Sequence, residues 1–330
     1  MPAIPHLKKN RTLNCDFCQF RVLKLLGQGG FGAVYLVEEV NTKGKYAVKT
    51  ELIPGKHDKF QPRLLWEETI LLEIQALQDE NQKKHFIKIV DRGTLPPLRY
   101  MLMTLVGKSL FDLQAQQKNR RFSDNTCWRI AEQTLEALEA FHNAGFVHRD
   151  IKPQNYTIGG EGREDIIFLL DFGLVRCYTG KQFTHSLIDR PNFAGTIKYS
   201  SRSAHLSVFQ YPKDDFESWV ISIMNFHNQN SIFWSKESDL GEIKNMKMDL
   251  FAGKEPYRIF RRLVPSEYKG LVRMISDLTP SHLIKKPNDI MKGKVPFAPF
   301  YEKLKDIQKS CRFSNDKLFD WQKKRAWKTV

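Results

Sequence analysis

Two short motifs bring together polar side chains of complementary chemistry. Residues 147–155 read VHRDIKPQN and residues 169–173 read LLDFG. Together they hold two carboxylates, an ammonium and an amide, which are Asp150, Lys152, Asn155 and Asp171. Moving a phosphoryl group needs a carboxylate to receive a hydroxyl proton, a cation near the phosphate and oxygen ligands for Mg²⁺. The chain therefore has to fold so that the two motifs meet.

The residue types and their order give each of these side chains a candidate catalytic role. Asp150 is expected to hold and orient the attacking hydroxyl, and Lys152 to neutralise charge on the transferring phosphate. Asn155 and Asp171 are expected to bind Mg²⁺ through hard oxygen atoms. We expect His148, in the same motif, to be a packing residue and not a base.

A glycine-rich loop with the sequence LGQGGFGAVY lies upstream of both motifs. Its candidate phosphate-contacting residues are Gly27, Gln28, Gly29, Gly30, Phe31 and Gly32. Glycine lets the backbone fold over phosphates, so that N–H groups meet the phosphate oxygens. An ordinary hairpin turn would also explain the loop, and a dinucleotide-binding fold would need a helix after the glycines. The β-rich AVYLV that follows favours a flap over a triphosphate.

Lys49 lies inside an apolar strand, so its ammonium is expected to need an acidic partner. The predicted helix at 64–77 offers three candidates, which are Glu67, Glu68 and Glu73. Glu67 has apolar neighbours at positions −3, +3, +4 and +7, which places it beside the core-facing side of the helix. We therefore predict an ion pair between Lys49 and Glu67.

Hydrophobic patterning predicts an α+β fold in two parts. Strands are predicted at 20–40, interrupted by the glycine loop, and at 45–51, 100–105 and 166–170. Helices are predicted at 64–77, at 126–142 and around the buried stripe from Phe216 to Met224. Strands thus dominate up to about residue 100 and helices after about residue 110.

The two ends of the chain are expected to behave differently. Residues 1–19 are polar and contain Pro2 and Pro5, so we expect a loose arm. Residues 306–330 carry Trp321 and Trp327 among lysines. We expect this basic aromatic tail to be ordered and to lie against the helical part.

Charge and cysteine usage narrow the functional class. The net charge of +15 suits a solvated surface or attraction to acidic proteins and polyanions. Basic residues are not regularly interleaved with aromatic ones, which disfavours a dedicated nucleic-acid-binding protein. No apolar run suits a membrane span or a signal peptide. Five cysteines, with Cys15 and Cys18 as the one close pair, favour a reduced intracellular protein over a zinc protein.

Taken together, the motifs resemble those of the eukaryotic protein kinases over residues 20–304. The resemblance implies a bilobal kinase domain at 20–305, with a strand-rich N-terminal lobe at about 20–105 and a helical C-terminal lobe at about 108–305. It implies ATP and Mg²⁺ as cofactors, and Lys152 is typical of kinases that act on serine and threonine. The residues implied to meet adenine are Val34, Ala47, Met103, Thr104 and Val106.

A closer resemblance follows the LLDFG motif. The A-P-E triplet that most kinases carry there is missing. In its place the chain reads GTIKYSSRSAH and then DDFESW, which is similar to the casein kinase 1 group. Within the casein kinase 1 group, the chain looks most like the tau-tubulin kinase branch, including the worm proteins of that type. The segments that carry this likeness are HRDIKPQNY, LLDFGLVRCY and SRSAH. This likeness implies that Asp215 binds the catalytic-loop backbone and that Lys198 receives acidic or phosphorylated substrate residues. At position 198 a lysine replaces the arginine common in this group. Lysine keeps the positive charge but cannot bind a phosphate in the bidentate geometry of arginine.

The resemblance also sets expectations about partners and location. We expect protein substrates, with acidic, phosphate-primed and cytoskeletal proteins as candidates, and neither a membrane nor nucleic acid. A cytoplasmic monomer is expected, with the nucleus as a second candidate location. Thr179, Thr184 and Ser186 are candidate phosphorylation sites. Two alternatives stay open: a pseudokinase scaffold, against which the complete catalytic set argues, and a basic cytoskeleton-binding module, which the charge suggests.

Overall fold

The strand-rich first part of the chain is built on one large antiparallel sheet. The computed structural model describes residues 7–14, 18–29, 32–53, 55, 62–183, 192–254, 259–284 and 293–322. Six strands pair in the order β1-β2-β3-β4-β6-β5. They are β1 Thr12–Asn14, β2 Gln19–Gln28, β3 Gly32–Glu39, β4 Lys45–Leu52, β5 Ile89–Leu95 and β6 Leu98–Thr104. The two-part α+β fold expected from the sequence is confirmed.

The two faces of this sheet belong to different cores because strand side chains alternate. On β3, Tyr35 and Val37 enter one apolar cluster, whereas Val34 lies against the other. Helix α1 (Arg63–Gln75) covers the second face with Leu64, Ile70, Leu71 and Ile74. It begins and ends within two residues of the predicted 64–77 helix.

The prediction of a loose N-terminal arm is wrong for its described residues. Leu7 is 5% exposed and Leu13 is 2% exposed, and both lie in the apolar cluster on the outer face of the sheet. The backbone N–H of Leu7 donates to the Tyr35 hydroxyl at 3.2 Å. Strand β1 pairs with β2 through Leu13 and Phe20. Residues 7–14 contain two apolar residues, Leu7 and Leu13, too few to suggest a strand by pattern alone.

The second part is helical and is centred on α6. Its helices are α2 Glu80–Lys83, α3 Leu110–Ala115, α4 Asp124–Asn143, α5 Arg202–His205, α6 Pro212–His227, α7 Leu240–Phe251, α8 Ile259–Arg262, α9 Lys269–Ser276 and α10 Ala298–Cys311. Every residue of α6 is buried. Helix α4 lies against it, and the Trp219 indole donates to the Thr134 hydroxyl at 2.9 Å. Within the described ranges, no helix combines the length and apolarity needed to cross a membrane.

Short strands explain how the two polar motifs meet. They are β7 Val106–Ser109, β8 Phe146–Val147, β9 Tyr156–Gly159, β10 Ile167–Leu169 and β11 Arg176–Cys177. The first motif forms the loop between β8 and β9, and the second lies between β10 and β11. Because β9 pairs with β10 and β8 pairs with β11, both ends of one loop are fixed to both ends of the other.

The C-terminal residues continue the helical part without a break. The predicted boundary between 305 and 306 falls inside α10, so the structure does not divide the chain there. Beyond α10, Asp320 accepts hydrogen bonds from the Ser123 backbone and hydroxyl at 2.6 and 3.0 Å. The Trp321 ring lies 5.6 Å from Phe122 and stacks on Phe319 at 4.4 Å. The tail therefore covers the start of α4 as far as residue 322, and Trp327 lies outside the described residues.

A buried acid joins α5 to α6. The Arg202 guanidinium donates to Glu217 Oε1 at 2.8 and 3.0 Å, and the Arg202 backbone N–H donates to Oε2 at 2.8 Å. Lys213 also donates to Glu217, whose side chain is fully buried. Burial raises the pKa of Glu217, but Lys213 and Arg202 lower it more strongly, to about 2.

Glu217→Gln should destabilise the protein by about 3 to 5 kcal/mol at pH 7, because it leaves two cations without a buried counter-ion. Glu217 stabilises the fold above its ordinary pKa of 4.5, and this contribution is lost as the pH falls towards about 2. The difference between wild type and variant should therefore shrink over that range. Urea unfolding at several pH values measures it, with exposed Glu302→Gln as control. An equal effect of both substitutions would contradict this account.

Candidate functional site

A cleft between the strand-rich and helical parts holds an apolar cavity of about 570 Å³. Its apolar lining residues include Leu26, Val34, Ala47, Ile87, Met101, Met103, Leu105, Val106 and Leu170. At its polar end lie Lys49, Glu67 and Asp171, which also line an adjoining cavity of about 310 Å³ beneath the glycine loop. The cleft therefore offers an apolar slot that continues into a charged compartment.

The cavity contains the residues that sequence analysis placed around adenine. Val34 lies on β3, Ala47 on β4, Met103 and Thr104 on β6, and Val106 opens β7. The lining also includes apolar residues that were not assigned to the site from the sequence, among them Leu71, Ile87 and Met101. Met101 could have been found because it alternates with Met103 along one strand. The others depend on how distant segments meet.

The glycine loop closes the charged compartment from above. Gly27, Gln28, Gly29 and Gly32 line the smaller cavity, and the Gly29 N–H donates to the Gly32 carbonyl at 2.9 Å. A Cβ atom on Gly32 would lie 1.9 Å from the Thr50 carbonyl oxygen, so this position requires glycine. Gly30 and Phe31 lie outside the described residues.

Lys49 and Glu67 form an ion pair at the polar end of the cleft. The Lys49 ammonium lies 2.5 Å from Glu67 Oε2, and their side chains are 28% and 7% exposed. The other two candidates have different partners, since Glu68 pairs with Arg92 at 2.9 Å and Glu73 with Lys181 at 2.5 Å. Burial lowers the pKa of Lys49, but the carboxylates of Glu67 and Asp171 together raise it by more. The pKa of Lys49 therefore lies above its ordinary value. Lys49 is therefore a fixed positive charge inside the cleft.

Asp215 fixes the backbone of the polar loop, which is residues 148–155 between β8 and β9. It is 1% exposed and lies at the start of α6. Its carboxylate accepts the backbone N–H groups of His148 and Arg149 at 2.7 and 2.8 Å, and the ring of His142 lies 2.9 Å from Oδ2. Arg149 has a φ of 68°, a conformation that side-chain-bearing residues rarely adopt. The two backbone bonds to Asp215 hold this strained turn in place.

The side chains of the polar loop form one hydrogen-bonded group. Lys152 donates to Asp150 Oδ2 at 2.6 Å and to the Thr196 hydroxyl at 2.9 Å, and that hydroxyl donates to Asp150 Oδ1 at 2.8 Å. Asn155 Nδ2 donates to the Asp150 carbonyl at 2.8 Å. Thr196 comes from a distant loop, and no local pattern in the sequence marks it as a member of this group. The group joins a carboxylate, an ammonium and a hydroxyl beside the cleft.

The packing of Phe172 fixes the backbone next to Asp171, whose side chain lines the cleft. Phe172 is 1% exposed and its ring packs against Phe141 at 5.6 Å and His148 at 5.8 Å. Asp171 itself is exposed and has a φ of 65°, so the chain turns sharply and directs the carboxylate into the cavity. His148 is fully buried and bonds to the Leu170 carbonyl at 3.0 Å, as a packing residue would.

Asp215→Asn should destabilise the protein by about 2 to 3 kcal/mol, because an amide oxygen replaces a carboxylate that has three donors. Chemical denaturation of the purified chain measures this loss. Asp306→Asn, at an exposed position of α10, is the matched control and should change stability little. A loss no larger than that of the control would show that Asp215 does not hold the loop.

Comparison with known proteins agrees with this geometry. The family model described as "Protein kinase domain" matches residues 20–287. Two Caenorhabditis elegans proteins named as serine/threonine-protein kinases, ZK507.3 and ZK507.1, are each 29% identical to the chain. The first alignment covers 93% of this chain and 74% of the relative, and the second covers 84% and 78%.

A third relative comes from a different organism. It is a Dictyostelium discoideum protein, also named as a serine/threonine-protein kinase, with 27% identity over 69% of this chain and 44% of its own length. The family match spans both the sheet and the helices that form the cleft. The expectation of a kinase acting on serine or threonine is thereby confirmed. The chain belongs to the protein kinase family and is a protein serine/threonine kinase.

Proposed function

We propose that the chain transfers the γ-phosphate of ATP to serine or threonine hydroxyls of protein substrates, with Mg²⁺ as the metal. The observation that carries this proposal is the continuity of the apolar slot with a compartment lined by Lys49, Glu67 and Asp171. An aromatic base fits the apolar slot, and a polyphosphate fits the charged compartment.

The apolar slot would hold the adenine ring. Val34 and Ala47 would lie against one face, and Met103 would lie at the back of the slot. Backbone groups between Thr104 and Val106 would meet the polar edge of the ring. The glycine loop would cover the phosphates, and Lys49, held by Glu67, would attract them.

Asp150 would orient the acceptor hydroxyl and receive its proton as the new oxygen–phosphorus bond forms and ADP leaves. Lys152 lies 2.6 Å from the Asp150 carboxylate, close enough to neutralise charge on the transferring phosphate. Thr196 bonds to both side chains and would keep them in this arrangement. Thr196 is therefore proposed as a positioning residue.

The oxygen atoms of Asn155 and Asp171 would hold the metal. They suit Mg²⁺ chemically, since carboxylate and amide oxygens are the hard ligands it prefers. Asn155 uses its Nδ2 group to bond Asp150, so its Oδ1 is the atom directed elsewhere. When bound, Mg²⁺ supplies positive charge that neutralises the phosphate oxygens.

Asp150→Asn should lower kcat by about 100-fold or more, because general-base catalysis contributes on this scale. KM for ATP should change only a few-fold, because Asp150 faces the acceptor.

Asp171→Asn should instead raise the Mg²⁺ concentration needed for half-maximal rate. Mass spectrometry of a phosphorylated peptide measures both, with exposed Asp249→Asn as control. A near wild-type kcat in Asp150→Asn, or an unchanged Mg²⁺ requirement in Asp171→Asn, would disprove the role assigned to that residue.

We further propose that the enzyme is of the casein kinase 1 type, closest to its tau-tubulin kinase branch. The segment SRSAH forms α5, and DDFESW lies in the first turns of α6. The Arg202–Glu217 ion pair joins these two helices. It supports the proposal because it fixes α5 against α6 in a chain that lacks the A-P-E glutamate. Of the candidate phosphorylation sites, Thr184 and Ser186 lie outside the described residues.

Lys198 remains our proposal for an anion-binding residue, with acidic and pre-phosphorylated proteins as candidate substrates. Burial lowers its pKa, and its ammonium lies 5.3 Å from the centre of the Tyr199 ring. Cytoskeletal proteins are a further candidate class because of the net charge of +15. A monomer in the cytoplasm, with the nucleus as second location, completes the proposal.

Lys198→Ala should lower kcat/KM for a pre-phosphorylated peptide by about two- to fivefold, the scale of a partly exposed ion pair. The rate on the unphosphorylated peptide of the same sequence should stay within error. Steady-state kinetics at low and high salt measure the ratio, and added salt should reduce it. An unchanged ratio would remove Lys198 from the anion site.

A further inference from the structure

The start of helix α1 is held by a carboxylate that belongs to another element. Glu51, near the end of strand β4, accepts the backbone N–H of Arg63 at 2.9 Å and that of Leu64 at 3.1 Å. Helix α1 begins after Pro62, whose side chain makes no capping hydrogen bond. The first N–H groups of a helix have no partner within it, so Glu51 supplies an acceptor that the helix itself lacks.

Glu51 is almost completely buried. It is 3% exposed, and a carboxylate is costly to remove from water unless donors replace its hydration. Burial raises the pKa of Glu51, and the two backbone N–H groups oppose this rise. Hydrogen bonds to an ionised acceptor are stronger than neutral ones, and burial shields them from water. Glu51 is therefore a strong link between β4 and α1.

This link lies beside both members of the ion pair in the cleft. Strand side chains alternate, so Glu51 and Lys49 are on the same face of β4. Residues three and four apart share one side of a helix, so Arg63 and Leu64 lie one turn before Glu67. All five residues line the cavity beneath the glycine loop. The link thus joins the strand that carries Lys49 to the helical turn that precedes Glu67.

A second hydrogen bond joins α1 to the helical part. The Trp66 indole donates to the Val175 carbonyl at 2.9 Å, just after the LLDFG motif. This bond fixes the helix relative to the segment that follows the motif, whereas the bonds to Glu51 fix it relative to the strand of Lys49. The distance between Lys49 and Glu67 depends on the bonds to Glu51.

We propose that Glu51 is a positioning residue for the reaction, because it holds α1 where Glu67 can bind Lys49. Its carboxylate is occupied by backbone N–H groups and would act on ATP only through Lys49. The inference rests on the proposed function for its effect on the rate, whereas its effect on the ion pair does not require catalysis. The competing explanation is an ordinary helix cap, which would stabilise the fold alone.

The state of the Lys49 amine can be measured without a nucleotide. Trace acetylation with acetic anhydride at about pH 8, followed by mass spectrometry, reports how much of the amine is neutral. In Glu51→Gln, an amide NH₂ replaces one of the two acceptor oxygens, so α1 should shift and the pair should loosen. Lys49 should then be acetylated about three- to tenfold faster than in wild type, because a more distant carboxylate raises its pKa less.

A Glu67→Gln background separates position from direct charge. If Glu51 acts through Glu67, adding Glu51→Gln to Glu67→Gln should leave the acetylation rate of Lys49 within about twofold, as for coupled residues in a double-mutant cycle. A full three- to tenfold rise in that background would mean that Glu51 acts on Lys49 by its charge alone, and would overturn the inference.

Glu39→Gln is the matched control. Glu39 is 5% exposed on β3, and its carboxylate accepts the backbone N–H groups of Asn41 and Thr42 at 3.0 and 2.6 Å. The substitution should lower the urea midpoint, as Glu51→Gln should, because both remove a buried acceptor of two N–H groups. It should leave the acetylation rate of Lys49 at the wild-type value.

Pro62→Asp distinguishes positioning from capping. Aspartate is a favoured N-cap residue, so adding Pro62→Asp to Glu51→Gln should restore much of the lost urea midpoint. An acceptor on the helix itself does not join α1 to β4, so the fast acetylation of Lys49 should persist. Recovery of both the midpoint and the slow acetylation would identify Glu51 as an ordinary cap.

Phosphorylation of a peptide completes the test. Glu51→Gln should lower kcat/KM for ATP by about tenfold through misplacement of Lys49 and Glu67, and KM for the peptide should stay within about twofold. If wild type transfers no phosphate but Glu51→Gln still speeds acetylation, the proposed function fails and the positioning of the ion pair stands. An active wild type in which Glu51→Gln changes either measurement no more than Glu39→Gln overturns the inference and leaves the proposed function standing.

Discussion

The arrangement of the site depends on the buried carboxylate of Asp215. Removing a carboxylate from water is costly unless donors replace its hydration, and Asp215 has two backbone N–H groups and an imidazole within 2.9 Å. Because those N–H groups belong to His148 and Arg149, they fix the backbone immediately before Asp150. The reactive side chains are therefore positioned from a helix whose residues are all buried, and not from the loop itself.

The parts of the site that the sequence predicted are those defined by short spacing and residue chemistry. Asp150, Lys152 and Asn155 lie within one turn of chain, and their proximity follows from that spacing. The partner of Lys49 could also be chosen, because helical periodicity places Glu67 beside the core and Glu68 nearer to solvent. The bounds of the central strands and helices were predicted to within a few residues, because their apolar residues recur with the strand or helix period.

What the sequence did not reveal depends on contacts between distant segments. Thr196 reaches Asp150, and Lys247 reaches the Ile197 carbonyl, across long separations in sequence. A buried lysine on an amphipathic helix looks like a solvated one until its neighbours are known. The strand at the N-terminus was missed because its pairing with β2 is decided by the sheet edge, and not by its own composition.

The central claim is that Asp215 holds the catalytic loop in place before ATP or substrate binds. Hydrogen exchange of the unliganded protein tests it most directly. The amides of His148 and Arg149 should exchange as slowly as those in the middle of α6, because both are bonded to a buried carboxylate. Exchange as fast as that of the exposed turn at 161–163 would contradict the claim.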